Sequence, residues 1–327
     1  MNEAQLRALT FSHRAARLAM AGVATGLFEA IADTPRTAGE VAASCGLSPR
    51  GASVLLEALA ALDVIERAGD AFVATPAAQA VFCEKGAASR RHTVLHDLWH
   101  TGLWTRLEES LVSGQPLADR SRDPFFTRPE VLVRFFPNLA QAMAETSREE
   151  ARELAESLAL PASARVLDLG GGTGQFARAI AGAHPDVEVV LFDQPPVIAA
   201  AAVGAHPRIT VVAGDFFTSP LDPSGACFDR VLLARILMGF DDSRAVELLA
   251  RVRSVLRPGG VVDVVELRRG SGAAGRVAAL LDVDMLLLTG GAVRSAVELR
   301  ALLAAAELHP GESRSLGRGM LRIEARP

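Results

Sequence analysis

One stretch limits the fold of this chain more than any other: VLDLGGGTGQFARAIA, residues 166–181. Its first half reads as a buried strand ending at Leu169, and its second half as a helix starting near Gln175. Between them a glycine run lets the main chain turn tightly and approach a ligand closely. From Arg165 onward short apolar strands alternate with helices of ten to fifteen residues, the sign of a parallel sheet with crossover helices. Strands are expected near 165–169, 188–193, 209–214, 228–234 and 260–266. The C-terminal HPGESRSLGRGMLRIEARP can supply a final antiparallel pair.

The first hundred residues follow a different rule. TAGEVAASCGLSPRGASVLLEALAALDVIERAGDAFVATP reads as a helix, a turn at Gly46, a second helix and a short hairpin around Gly69. Ser48 is the expected cap of the second helix, with Pro49 in its first position. Leu55, Leu59 and Leu62 form an apolar stripe at i, i+4 and i+7, beside Leu56. This is a winged-helix pattern, whose first functional reading is DNA recognition. The charges argue against that reading: the would-be recognition helix offers only Arg50, and no basic cluster could meet phosphates. The leucine stripe fits a dimer interface better. Residues 88–112 read as one longer helix, SGQPLADRSRDPFFTRPE as a surface loop, and the segment up to LAESLAL as another amphipathic helix closed by Pro161. The expected domains are therefore a mostly helical winged-helix dimerisation domain (1–110), a helical linker and acceptor-pocket segment (111–160), and a Rossmann-like α/β domain (161–327).

Composition removes several classes of function. With 50% hydrophobic and 22% charged residues the chain suits a globular fold, and a formal net charge of −4 gives no footprint for nucleic acid. No apolar run approaches the roughly 18 residues of a membrane span. The N-terminus has no secretory pattern. Cys45, Cys83 and Cys227 are odd in number and widely spaced, which fits reduced cytoplasmic thiols rather than disulfides or a zinc site. Tyrosine is absent, which removes one candidate acid–base residue.

The glycine turn alone leaves a nicotinamide enzyme open, because Gly172, Gly174 and Ala177 satisfy G-x-G-x-x-A. The acids around it point elsewhere. Asp168 lies on the strand itself, two residues before the first glycine; Asp193 ends the second strand and can hold ribose hydroxyls. Asp215 and Phe216 end the third strand and offer an acceptor and an aromatic face to an adenine. Three carboxylates at successive strand ends repel a phosphate-bearing ligand and suit one with a ribose, an adenine and positive charge. S-adenosylmethionine is such a ligand.

Through DLGGGTG, GDFF, the LRPGG turn and DVDMLLLTGG, the chain resembles the small-molecule O-methyltransferases of plant phenolic and bacterial polyketide and pigment metabolism over nearly its full length. The resemblance implies a homodimer, a small-molecule acceptor, and cofactor contacts at Gly170, Gly172, Asp193, Asp215, Phe216 and Arg235. It also exposes a departure. O-methylating members end the fourth strand with a His-Asp pair, the histidine being the general base; here the pair reads Met238-Gly239. Of two family glutamates, one matches Glu266, and Val293 of GGAVRS stands in place of the other.

Methyl transfer is an in-line displacement that gains much from holding donor and acceptor at near-attack distance. A base matters most when the acceptor must lose a proton of high pKa, and less for an acidic hydroxyl or an electron-rich carbon. The expected activity is therefore C- or O-methylation without the family's histidine. A non-methylating enzyme of the same fold, of decarboxylase or hydroxylase type, and less plausibly a winged-helix regulator are the alternatives. His92, His96 and His100 recur every four residues and share one helix face, but three over two turns span about 12 Å and cannot all reach one ion. His96 or His100 is instead a candidate substitute base beside Glu266. Trp99, Met143, Met238 and Met285 are the candidate acceptor-lining residues.

Overall fold

The computed structural model describes residues 2–117, 129–201, 206–225 and 227–327. Most of the loop expected from residue 113 to 130 lies outside them. The chain forms two compact units, Met1–Gly102 and Leu103–Pro327. The division falls before residue 110, and the segment expected as a separate linker, 111–160, belongs to the second unit.

The first unit contains α1 (Glu3–Ala24), α2 (Leu27–Ala30), β1 (Arg36–Thr37), α3 (Ala38–Cys45), α4 (Pro49–Ala61), β2 (Ile65–Ala68), β3 (Ala71–Ala74) and α5 (Pro76–Phe82). Its three strands pair in the order β1-β3-β2, the wing expected around Gly69. The caps lie where the sequence puts them. Gly46 closes α3 in the left-handed region, and the Ser48 hydroxyl accepts the Gly51 amide at 3.0 Å to open α4.

The leucine stripe divides in an unforeseen way. Leu59 and its neighbour Leu56 are fully buried in this unit's own core with Phe28, Ile31 and Phe72, whereas Leu62 keeps 43% of its surface. Leu59 therefore builds the fold, and only the edge of the stripe faces outward.

The expected helix over 88–112 is two helices, α6 (Arg91–Trp104) and α7 (Leu107–Ser113), separated at Thr105–Arg106. The Arg106 guanidinium bonds forward to Glu109 at 2.7 Å, a contact local to the new helix start. Apolar periodicity continues across this break, so it gave no sequence signal.

The second unit continues with α8 (Pro129–Ser157), β4 (Arg165–Leu169), α9 (Gln175–Ala183), β5 (Glu188–Asp193), α10 (Pro195–Ala201), β6 (Ile209–Ala213) and β7 (Phe228–Ala234). It closes with α11 (Asp242–Ser254), β8 (Leu256–Leu267), α12 (Gly272–Leu288), α13 (Ala296–Ala305), β9 (His309–Ser315) and β10 (Met320–Arg326). The sheet order is β6-β5-β4-β7-β8-β10-β9. The first five strands of that order run parallel, and β10 is antiparallel to both its neighbours. All five parallel strands and the final pair match the sequence reading.

Strand alternation sorts the two faces. Leu167, Val231 and Val264 pack with Leu248 of α11 and Leu303 of α13, while Val166, Leu232 and Val265 pack with Leu154 of α8 and Ile180 of α9. One buried polar feature breaks the apolar pattern. Asp263 on β8 takes Arg230 of β7 at 2.5 Å and Arg322 of β10 at 2.7 Å. Each of these charges is compensated by its neighbours, the condition for tolerating it inside.

Truncating Leu59 to Ala should destabilise the first unit by about 2–5 kcal/mol, the cost of a buried leucine cavity. Leu62→Ala should cost far less. Urea unfolding of the two variants checks this ordering, and equal losses would refute the assignment of Leu59 to the core.

Candidate functional site

The site begins where β4 ends. Gly170 donates to the Phe192 carbonyl at 2.7 Å and Gly172 to Asp193 Oδ2 at 2.8 Å, so the glycine turn hangs on the end of β5. Gly170 has φ 77°, and a Cβ there would strike the Ile236 side chain. No L side chain meets both conditions. At Gly172 the requirement is different: φ is 54° and nothing lies within 4 Å of where a Cβ would stand. Here the main chain faces open space, as a close-approaching ligand needs.

Asp168 is fully buried beneath this turn, with Oδ2 accepting the Ala177 amide of α9 at 3.0 Å. That bond ties strand to helix across the turn. Burial pushes the Asp168 carboxyl up to about 7; the Ala177 amide opposes the rise and the charge of Asp193 adds to it. Asp193 is buried and also raised by burial, while its two oxygens accept from Gly172 and, at 2.7 Å, from Gln194.

Asp215 behaves differently. It is exposed, and Oδ1 accepts the amides of Phe217 at 2.8 Å and Thr218 at 3.0 Å. The Phe217 bond leads in holding its carboxyl below the usual range. Phe216 is mostly buried, its ring 5.9 Å from that of Phe192 and bordering Gly170. The strand ends thus bring Asp168, Gly170, Gly172, Asp193, Asp215 and Phe216 together around one turn.

A second group forms at the ends of β7 and β8. Arg235 is a non-glycine residue with φ 57°, a strained conformation, and its guanidinium reaches the Thr146 hydroxyl of α8 at 2.7 Å. Leu237–Gly239 is a single 3-10 turn carrying Met238. Glu266, only 2% exposed, accepts the Leu237 amide at 2.7 Å and the Met238 amide at 3.4 Å through Oε1. Its Oε2 has no hydrogen-bond partner among the described residues. Burial pushes Glu266 up to about 7 against those amides and the nearby Arg294 and Arg235 charges. Met238 and Val293 are buried in one apolar cluster with Val265 and Leu267, and Met285 packs against it.

The histidines lie in the first unit. His96 and His100 on α6 are buried with ring centroids 4.2 Å apart, and Trp99 sits 4.9 Å from His100. Burial lowers His96 to about 4 and His100 to about 3, the latter with help from His96. Met143, on α8, is partly exposed. Among the described residues no group of three His, Cys, Asp or Glu side chains is placed to hold a metal.

Two features escaped the sequence reading. Trp104 donates its indole N–H to Asp284 at 2.8 Å, next to Met285, so a second tryptophan borders this part of the site. Arg294 is buried and bonds to the backbone around Met238. Asp284 and Arg294 lie in segments whose visible features are apolar residues and glycines, and no local pattern marks pairings so distant in sequence.

A glycine turn at the head of a parallel sheet, acids on successive strand ends and an open approach at Gly172 define a nucleoside-binding transferase fold. Comparison gives the family. Residues 127–308 match the O-methyltransferase domain family. Acetylserotonin O-methyltransferase of Mus musculus is 35% identical over 322 residues, covering 91% of this chain and 81% of the mouse protein. The 3-hydroxy-5-methyl-1-naphthoate 3-O-methyltransferase of Streptomyces sahachiroi is 32% identical, covering 83% and 79%. Among solved structures, a methyltransferase of calicheamicin biosynthesis in its SAH-bound form superposes with TM-score 0.75 at 26% identity, covering 100% of this chain and 99% of that one. The chain belongs to the O-methyltransferase family, and S-adenosylmethionine is the cofactor of that class.

Glu266 has a testable consequence for stability. A carboxyl whose folded pKa lies above its unfolded value holds its proton longer in the folded state. Its contribution to stability is complete below the unfolded pKa of 4.5 and is lost as pH rises through about 7. At about 1.4 kcal/mol per pKa step the loss is about 3 kcal/mol. Urea unfolding of the parent and Glu266→Gln at pH 5 and pH 8 should show the parent losing ground to the variant by that order. An equal difference at both pH values would refute it.

Proposed function

We infer that this protein transfers a methyl group from S-adenosylmethionine to a small, flat and largely apolar acceptor, at oxygen or carbon, without a histidine base at the family's position. One observation carries the reading. Where relatives of this type place a His-Asp pair, the chain buries Met238 over a carboxylate, Glu266, whose second oxygen has no partner among the described residues. When bound, the cofactor supplies an electrophilic methyl on a sulfonium. The chain's part is to bind it, orient the acceptor and, where needed, hold a proton.

Asp193 and the Gly170–Gly172 turn form the cofactor cradle, with Phe216 and Asp215 beside it. The methionines Met238 and Met285 and the Trp104–Asp284 pair form an apolar wall with one polar contact. The curated relatives act on acetylserotonin and on a hydroxynaphthoate, which supports a fused-ring acceptor.

Glu266 is the better proton acceptor of the candidates. With a pKa near 7 it is close to the optimum for general-base work at neutral pH. His96 and His100, held near 4 and 3, stay neutral but accept protons weakly. Exposed Leu6, Leu9 and Phe11 on α1, with Val54 and Leu62, support pairing with a second copy of the chain. The free thiols Cys45, Cys83 and Cys227 suit the cytoplasm.

Two variants test this. Asp193→Ala should weaken S-adenosylmethionine binding by about 1.5–3 kcal/mol in calorimetry, since it removes both a ligand acceptor and the anchor of Gly172. Unchanged affinity would sink the cofactor assignment. With methyl-labelled cofactor and acetylserotonin or a hydroxynaphthoate as probe acceptor, Glu266→Gln should slow transfer about 10²–10⁴-fold, while His96→Ala and His100→Ala change it little. Full activity in Glu266→Gln would show that this carboxylate moves no proton.

A further inference from the structure

The Met238 turn is held from two sides by opposite charges. On its amide side Glu266 accepts from Leu237 and Met238. On its carbonyl side stands Arg294, from the loop between α12 and α13. Its Nη1 donates to the Leu237 carbonyl at 2.8 Å and the Ala292 carbonyl at 3.4 Å. Its Nη2 donates to the Phe240 carbonyl at 2.7 Å and to Asp242 Oδ1 at 2.8 Å, and Nε reaches the same oxygen at 3.0 Å. These bonds use all five N–H donors of a guanidinium.

The same loop presses on the turn directly. A Cβ on Gly291 would strike the Met238 carbonyl and crowd the Phe240 amide, so two backbones touch here. Val293, between these residues, is fully buried, and its amide donates to Asp282 at 2.6 Å. The loop is thus anchored to α12 on one side and to the Met238 turn on the other.

We propose that Arg294 is a positioning residue for the acceptor side of the site: its guanidinium fixes the Leu237–Gly239 turn and so sets where the Met238 side chain stands. It acts through the turn and does not touch the reacting atoms. Its outer anchor is Asp242, whose side chain is 80% exposed at the start of α11, so the clamp runs from the surface to the buried turn. Lysine cannot replace it, because three donors on a flexible stem cannot span carbonyls of Leu237, Ala292 and Phe240 together with a carboxylate. The role in catalysis rests on the reading that this turn bounds the acceptor; the clamp itself does not.

The two parts can be separated by experiment. The chain has six methionines, so protein labelled with ¹³C-methyl methionine gives a countable set of signals, and Met238→Leu identifies the Met238 signal. In R294K that signal should shift or split into more than one conformer, with S-adenosylmethionine affinity within about twofold of the parent. D242N, at an exposed position, should move the same signal in the same direction by less, and it decides the matter if R294K does not fold. An unmoved Met238 signal in folded R294K, or in D242N where R294K is unfolded, would overturn the clamp. On a probe acceptor that the parent methylates, R294K should lower kcat about tenfold to a hundredfold with KM for the cofactor nearly unchanged. A moved Met238 signal with unchanged kcat would confirm the clamp and refute its part in catalysis. A parent inactive on both probe acceptors would count against the functional reading alone, with the Met238 signal still deciding the clamp.

Discussion

The candidate site depends on how the glycine turn is tied to β5. Two amides of the turn, those of Gly170 and Gly171, point at one carbonyl, Phe192, and a third donates to the carboxylate of Asp193. Those acceptors pair three amides of a half-buried turn and fix its path. Asp168 fixes the far side of the turn by capping the first turn of α9. The same two carboxylates are desolvated to do this, and each is held above its ordinary pKa. A positive charge placed beside them would favour their ionised forms and be favoured in return. The same acids that fix the turn would thus favour a ligand carrying positive charge, which supports the proposed cofactor cradle.

That logic was legible in the sequence because each part has a local signature. A strand of alternating or continuous apolar residues, a glycine run and a helix start occur within one short segment, and acids at strand ends can be located once the strands are counted. The five parallel strands and the final antiparallel pair follow from the same alternation, whereas their order in the sheet came only from the structure. The winged-helix unit was readable for a similar reason, since Ser48, Pro49 and Gly46 are caps whose geometry is set by their own chemistry.

What the sequence did not show is long-range. Nothing local distinguishes Leu59, which is core, from Leu62, which is half outside, because burial is decided by residues distant in sequence, such as Phe28 and Ile31. The pairing of Asp263 with Arg230 and Arg322 joins three strands, two of them more than fifty residues apart, and no motif announces it. Trp99 and Trp104 stand five residues apart on one helix and look interchangeable as pocket walls. Only the fold shows that Trp104 bonds to Asp284 while Trp99 lies with His96 and His100. Arg294 was hidden by the segment's more visible feature, the valine at a glutamate position.

The proposed absence of a histidine base can be weighed against these contacts. On the proposed correspondence with the family's histidine and glutamate positions, Met238 and Val293 fill those places with apolar side chains, which a buried site accepts readily. Glu266 is the exception. Its Oε1 holds the turn, and its Oε2 has no hydrogen-bond partner among the described residues. Holding the two amides requires only one oxygen, and a glutamine carbonyl would accept them as well without a desolvated charge. The guanidiniums of Arg294 and Arg235 also stand near this turn, and among these groups Glu266, pushed up to about 7, is the one suited to exchange a proton near neutral pH, the role proposed for it.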